Sequence, residues 1–454
     1  MQPIGSGASN RRREYLKYIS GAIILLAFLL RLSVALPQTD DYWRQGDRSF
    51  LTIAQNLVDN GVYGLSPEEP TRWRGPAYVL LLAAIYGLFG ASPQALAISN
   101  VVIGMTVVIA TWYLARYLFG EGAAMVATLF VGFHPYLVWQ SGHLIDTDIL
   151  SALVLLLIHS TLKAKGPHRL IWAAVAGILA GLAVLTRAMV ILFVPFVLLW
   201  WVRRHGKEGL KLSIVFVSVF VLCLLPWMAR NALVFDRLTI TESMAGLNLW
   251  NGNNPLTFQV YPQHSLDSLA PYRSNLVPPD LANEDQRNAW YLNEVVKYVV
   301  DEPVAALEGF LRKALLLYDF RLVPRSGENA LLDPLTGEIV RPGAPRSTRE
   351  QVLYTVPYLA ILLLSAVALP STWRLRSTET VLIVLLFLSW TVAHAIVFAY
   401  SRYRMPLEPL LAIWAGRGCL EVYTYLCRKG IWPRRTAHGE LPAEDLRQSE
   451  SFCD

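Results

Sequence analysis

Apolar runs close to the length needed to cross a bilayer recur through this chain, from Tyr18 to the stretch that ends near Cys427, and nearly all charges fall between them. About 20 apolar residues in helical form span about 30 Å of hydrocarbon, the thickness of a membrane core. With 54% hydrophobic and 16% charged residues in 454, the bilayer is the expected solvent, and no separate soluble domain is expected. The first run, Tyr18 to Leu36, follows Arg11, Arg12, Arg13 and Lys17. It lacks a small-residue cleavage site and is too long for a signal-peptide core, so it reads as a retained anchor.

With the basic N-terminus inside, the first span exits near Pro37 into an outer loop of residues 37–95. Phe50, Ile53, Ala54 and Leu57 recur there at helical spacing, with Arg48, Thr52, Gln55, Asn56 and Asp59 between them, the pattern of a helix lying in the interface. Pro76–Phe89 is apolar but short and reads as interfacial or re-entrant. Spans then follow at Leu96–Tyr117, Gly122–Trp139 and Asp148–Leu162, with three more ending at Arg187, Arg203 and Arg230. A second outer loop, 231–349, is polar and rich in Pro and Asn, with one amphipathic stretch from Pro303 to Tyr318. The last three spans end near Arg374, Tyr400 and Arg428.

The expected fold is thus an all-α polytopic membrane protein of about ten transmembrane helices, with interfacial helices in the first and second large outer loops. Residues 1–17 form a cytoplasmic basic tail, 18–425 the transmembrane catalytic domain, and 426–454 a disordered cytoplasmic tail. Every dense basic group, including Lys163, Lys165, Arg169, Lys207, Lys211, Arg376, Lys429, Arg434 and Arg435, falls inside in this arrangement, although the spans were chosen on hydropathy alone. The net charge of +6 is explained by these loops, and no nucleic-acid partner is expected. Cys223, Cys419, Cys427 and Cys453 show no metal-binding spacing and read as packing residues or incidental thiols.

Three polar clusters gather on the outer face. Asp40, Asp41 and Asp47 follow the first span, with Asp47 in Gly46-Asp47-Arg48-Ser49 at the start of a helix. There it serves either as a helix cap or as a general base facing a cleft at the membrane surface. The second cluster is His143-Leu144-Ile145-Asp146-Thr147-Asp148. Two acids two residues apart on a helix face different sides, so one of the pair is expected to share a site with Asp47. Asp-x-Asp also suits a divalent metal in nucleotide-sugar enzymes, but such a pair is common by chance and here lies away from cytoplasmic nucleotide sugars. A divalent metal is compatible with these carboxylates, yet no dedicated ligand set or certain cofactor is visible. The third cluster is basic: Arg72, Arg74, Arg187, Arg230, Lys313, Arg402 and Arg404. External positive charges oppose the orientation rule; they either pair with lipid headgroups or serve a site. Cations beside carboxylates match one reaction, in which a leaving phosphate needs cationic donors and an acceptor hydroxyl needs a base.

The ordered set resembles the membrane-embedded GT-C glycosyltransferases, specifically the bacterial group with protein O-mannosyltransferases and the aminoarabinose transferase acting on lipid A. It comprises Gly46-Asp47, Arg72-Trp73-Arg74-Gly75-Pro76-Ala77-Tyr78, Pro135 with Thr147-Asp148, Leu185-Thr186-Arg187, Pro226-Trp227-Met228-Ala229-Arg230-Asn231, Gly252-Asn253, and Arg402-Tyr403-Arg404-Met405-Pro406-Leu407-Glu408-Pro409. The resemblance covers most of residues 15 to 425. It implies Asp47 as base or acceptor-orienting acid, and Asp148, or else Asp146, as the second acid. Arg74, Arg187, Arg402 and Arg404, with Arg72 and Lys313, would hold the donor phosphate, and Tyr403, His143 and Asn253 would contact acceptor or sugar. The first loop departs from the family's common Asp-Glu, since Arg48 follows Asp47. The implied activity is inverting transfer of a sugar from a polyprenyl-phosphate donor to a lipid, glycan or protein acceptor, at the outer face of the inner membrane and among its lipids. A lipid-phosphate-sugar transporter or flippase is the rival, but it would place charges near the midplane and often show inverted repeats, and neither is apparent. A noncatalytic scaffold would leave the external acids without a common purpose.

Overall fold

The computed structural model describes residues 6–38, 47–240, 242–281 and 283–431. Asp40, Asp41, Gly46, Arg434, Arg435, Cys453 and the polar tail lie outside the described residues. The chain is a multi-span helical membrane protein: among the described residues seven helices are long and apolar enough to cross a membrane by length and composition. Its only strands among the described residues are the short antiparallel pair Leu331–Leu332 and Ile339–Arg341.

Helix α1 (Ser6–Ala35) carries the first apolar run. The first long connection then holds α2 (Arg48–Asn60) and α3 (Pro76–Phe89), which pack on each other, with Phe50 and Tyr78 edge to face at 5.2 Å. The amphipathic pattern of α2 explains its burial: Phe50, Leu51, Ile53 and Ala54 turn inward. Helix α4 (Pro93–Gly132) is broken at Gly120, where φ is 83°, a conformation that glycine adopts without a Cβ clash. Arg31 of α1 shows that α4 doubles back there. Its Nη1 donates to Gly132 O at 2.6 Å, and its Nε lies 3.2 Å from where a Cβ on Gly104 would sit. In one straight helix those two residues would stand about 42 Å apart.

Short α5 (Pro135–Gln140) leads to α6 (Thr147–Lys163) and α7 (Arg169–Thr186), joined by the basic turn that contains Lys165. Then come α8 (Val194–His205) and α9 (Lys207–Phe235). After a second long connection the chain closes with α15 (Thr348–Leu375), α16 (Ser377–Ile396), the single turn α17 (Ser401–Arg404) and α18 (Glu408–Arg428). The two arms of α4 correspond to two of the ten expected spans. Helix α6, with 17 residues, and α18, which carries Glu408, Arg417 and Glu421, stand outside those seven.

The second long connection is more structured than its composition suggests. It contains α10 (Ala245–Gly252), α11 (Thr257–Val260), α12 (Ala270–Leu276), α13 (Glu284–Asp301) and α14 (Pro303–Leu316). Trp250, Val260, Tyr261, Leu266, Leu269 and Tyr291 form a small core of their own that extends onto Phe398 and Tyr400. The amphipathic pattern found α14; the others are too short or too polar for periodicity to mark. Their effect is to seat the connection on the residues that follow α16.

Candidate active site

The site forms where helix ends meet. Asp47 is the N-cap of α2: its Oδ1 accepts hydrogen bonds from the Ser49 backbone N–H at 3.1 Å and the Ser49 hydroxyl at 2.5 Å. Its other oxygen forms an ion pair with Arg74. Cap and charge partner are therefore one residue. Arg74 also donates from Nε to Ser49 Oγ at 2.8 Å and lies over the Phe50 ring at 5.0 Å. The Asp47 N–H donates to Leu144 O at 3.1 Å, which draws the start of α2 against the turn before α6.

Gly75 brings the Arg74 loop to the end of α7. A Cβ there would lie 3.0 Å from Thr186 O and nearer still to Leu185 O, so only glycine permits this approach. Arg187, directly after α7, donates from Nε and Nη2 to the two oxygens of Asp146 at 2.9 and 2.6 Å. Burial by itself would raise the Asp146 carboxyl; the Arg187 guanidinium outweighs it and holds the group below the usual carboxylate range. Arg187 also lies 4.8 Å from the Tyr403 ring centre.

Arg402 completes the constellation. Its guanidinium lies 5.0 Å from the Tyr403 ring and 5.4 Å from that of Tyr400, and its Nη2 donates to the Tyr403 hydroxyl at 3.0 Å. It has no carboxylate partner among the described residues, and its Nε makes no hydrogen bond. Asp47–Arg74 and Asp146–Arg187–Tyr403–Arg402 are thus two polar chains, brought side by side by the Asp47 N–H bond to Leu144 O and by the Gly75 approach to Leu185 and Thr186.

Other expected residues lie elsewhere. Asp148 faces α1 and α4: its Oδ2 and Arg31 Nε both border Gly104, at 3.4 and 3.2 Å from its Cβ position, while Asp146 takes Arg187. Arg404 is fully buried and bound to Glu408 Oε1 at 2.9 Å, to Leu317 O at 2.7 Å, to Asp319 O at 2.9 Å and to the Tyr354 hydroxyl. Lys313 donates to Gly252 O and Asn253 Oδ1, both at 2.8 Å, so Lys313 and Asn253 lock α14 to α10. Arg72 pairs with Asp285 of α13, and the Thr71 hydroxyl donates to Glu284 at 2.5 Å. Arg230 holds Thr71 O at 3.0 Å. His143 stacks on Trp139 at 3.7 Å, with Nδ1 3.0 Å from Trp139 O.

One residue escaped the sequence reading. Glu242, in the segment between α9 and α10, accepts the Gly75 N–H at 3.0 Å. Burial pushes its carboxyl up to about 7, with Asp146 adding to the rise and Arg74 and Arg187 opposing it. A lone acid in Thr239-Ile240-Thr241-Glu242 carries no motif. Among the described residues no group of three or more His, Cys, Asp or Glu is arranged to hold a metal ion.

Residues 73–229 match the family model for dolichyl-phosphate-mannose-protein mannosyltransferase, a stretch that includes Arg74, Asp146 and Arg187 but neither Asp47, Glu242 nor Arg402. The archaeal oligosaccharyltransferase AglB from Archaeoglobus fulgidus, in complex with an inhibitory peptide and a dolichol-phosphate, superimposes with a TM-score of 0.54 at 12% identity. The match covers 96% of this chain and 54% of that one. The chain has a GT-C-like fold. The apo A. fulgidus oligosaccharyltransferase shares it at a TM-score of 0.52 and 15% identity, over 96% of this chain and 54% of that one. ArnT from Cupriavidus metallidurans, bound to undecaprenyl phosphate, matches at a TM-score of 0.39 and 14% identity over 91% of this chain and 79% of that one. The chain spans about half the length of the archaeal enzymes it matches. Among curated proteins none matches it in sequence.

Proposed function

We propose that the chain is a glycosyltransferase that moves a sugar from a polyprenyl-phosphate-linked donor to an acceptor at the outer face of the membrane, with inversion at the anomeric carbon. The observation that carries this reading is Arg402: a guanidinium without a carboxylate partner among the described residues, beside two arginine–carboxylate pairs. A leaving phosphate needs such a cation. Arg74 and Arg187 are partnered and fix the electrostatic frame; Arg402 has donor capacity left for a ligand.

In the reaction, the acceptor oxygen bonds to the anomeric carbon from the side opposite the phosphate. The bond from that carbon to the phosphate oxygen breaks with its electron pair, leaving polyprenyl phosphate. Arg402, with Arg187 next to it, binds the phosphate oxygens. Asp47, held by Arg74 and Ser49, orients the acceptor, and Asp146 keeps Arg187 in place. The lipid tail lies among the spans.

Residues 18–425 form the catalytic unit, with residues 1–17 and 426–454 on the cytoplasmic side. Helices α6 and α7 support this sidedness: Asp146 and Arg187 stand at one end of the pair, and Lys163 and Arg169 at the other, about 25 Å away. Basic residues are retained on the cytoplasmic side, which supports a site on the outer face of the inner membrane.

The test is transfer by the purified protein in nanodiscs from a mixed pool of radiolabelled polyprenyl-phosphate sugars to a membrane extract. Label in an acceptor with wild type and its loss in Arg402→Ala are expected. Label that crosses sealed vesicles without transfer would overturn the reading in favour of a flippase.

A further inference from the structure

Three carboxylates converge at the meeting point of α2, α3, α6 and α7, and they differ in what neutralises them. Asp47 is paired with Arg74, and Asp146 is held bidentately by Arg187. Glu242 forms no ion pair with any described residue; its Oε1 accepts the Gly75 backbone N–H at 3.0 Å, and Oε2 takes no hydrogen bond from the described residues. Gly75 is the residue between Arg74 and α3, and it abuts Leu185 and Thr186 beside Arg187. Glu242 therefore sits between both ion pairs without belonging to either.

We infer that Glu242 is the proton acceptor for the incoming hydroxyl, an assignment that rests on the transferase reading above. The bidentate Arg187 guanidinium favours the charged form of Asp146, which makes Asp146 a poor base, and both oxygens of Asp47 are already engaged by Arg74 and Ser49. Glu242 has no such partner to lose, and burial pushes its carboxyl up to about 7, where a base is effective at neutral pH. The charged and titratable groups facing it are Arg74 before α3, Arg187 after α7, Asp146 before α6, and Tyr63 between α2 and α3.

The step balances without any further reagent. The hydroxyl oxygen forms its bond to the anomeric carbon while the bond from that carbon to the phosphate oxygen breaks, its electron pair leaving on the phosphate. The hydroxyl proton passes to Glu242 Oε2 and then to water once the product departs.

The experiment is the pH profile of single-turnover transfer at saturating donor, from pH 5.5 to 8.5, for wild type and Glu242→Gln in nanodiscs. Gln keeps a carbonyl oxygen for the Gly75 N–H but cannot accept the proton. Wild type should gain rate with pH, with a midpoint near 7. Glu242→Gln should lose roughly 10²–10⁴-fold in rate, lose the pH-dependent limb, and keep its donor KM. A rate near wild type with the limb intact overturns the assignment while leaving the transferase reading standing. Absence of transfer by wild type from every donor overturns the transferase reading itself. Should Glu242→Gln not fold, the wild-type profile decides: a rate that is flat across this range excludes Glu242.

Discussion

Asp146 and Arg187, 41 positions apart in the chain, meet through two side-chain hydrogen bonds of 2.9 and 2.6 Å at the ends of adjacent helices. Asp146→Asn leaves the Arg187 guanidinium buried beside a neutral amide. Breaking a buried pair from one side costs about 3–5 kcal/mol. The variant should melt at lower temperature in detergent and lose transfer, and Arg187→Lys, which cannot reproduce the fork, should show both effects.

Asp47→Asn separates capping from chemistry. Asn caps helices about as well as Asp, so α2 should keep its thermal stability. The Arg74 pair is lost, and transfer should fall by about a hundredfold or more, as when a positioned group is removed. Parallel melting curves and rates check both halves, and full activity would remove Asp47 from the site.

Arg402 and Arg404 lie two residues apart and should behave differently. Arg402→Ala should raise the donor KM by roughly tenfold to a hundredfold, the equivalent of about 1.5–3 kcal/mol for charged hydrogen bonds, with little change in melting temperature. Arg404→Ala should instead reduce folded yield, because Glu408 and two carbonyl groups lose their donor. Donor titrations and size-exclusion profiles of the two variants distinguish the roles.

Gly75→Ala should cost activity without removing a charged group, although its methyl would also stand 3.2 Å from Glu242 Oε1. The added methyl would press on the carbonyls of Leu185 and Thr186 and move Arg74. A displacement of about 1 Å at a reacting site can cost a hundredfold. Rates for Gly75→Ala against an alanine substitution at the surface residue Leu88 provide the comparison.

Glu242 also makes a prediction about stability. Its carboxyl titrates higher in the folded protein than the ordinary value of 4.5, so the folded state binds more protons between that pH and about 7. Its contribution is full below pH 4.5 and is lost as pH rises through 7. Melting temperature should therefore fall over this window, and Glu242→Gln should flatten the fall. Calorimetry in detergent at pH 5 and pH 8 measures it.

Much of this was legible in the sequence because hydrophobic run length and helical spacing are local properties. The apolar segments and the amphipathic face of α2 could be read that way. The choice between Asp146 and Asp148 could not, since it depends on the rotation of α6 about its axis: one acid meets α7, the other faces α1. Arg402 and Arg404 share one motif, yet the four-residue spacing of Arg404 and Glu408 already offered the fully buried arginine a partner. Glu242 had no local signal at all, because its significance comes from Gly75, far away in the chain.

Arg402 lies after α16, whereas Asp47, Arg74, Asp146 and Arg187 all precede α8. During synthesis the paired arginines are made first and the unpartnered one late. A nascent chain therefore holds both halves of the charge-compensated pairs before it acquires the cation without a carboxylate, and on the proposed reading a product truncated before that last segment would lack this phosphate contact.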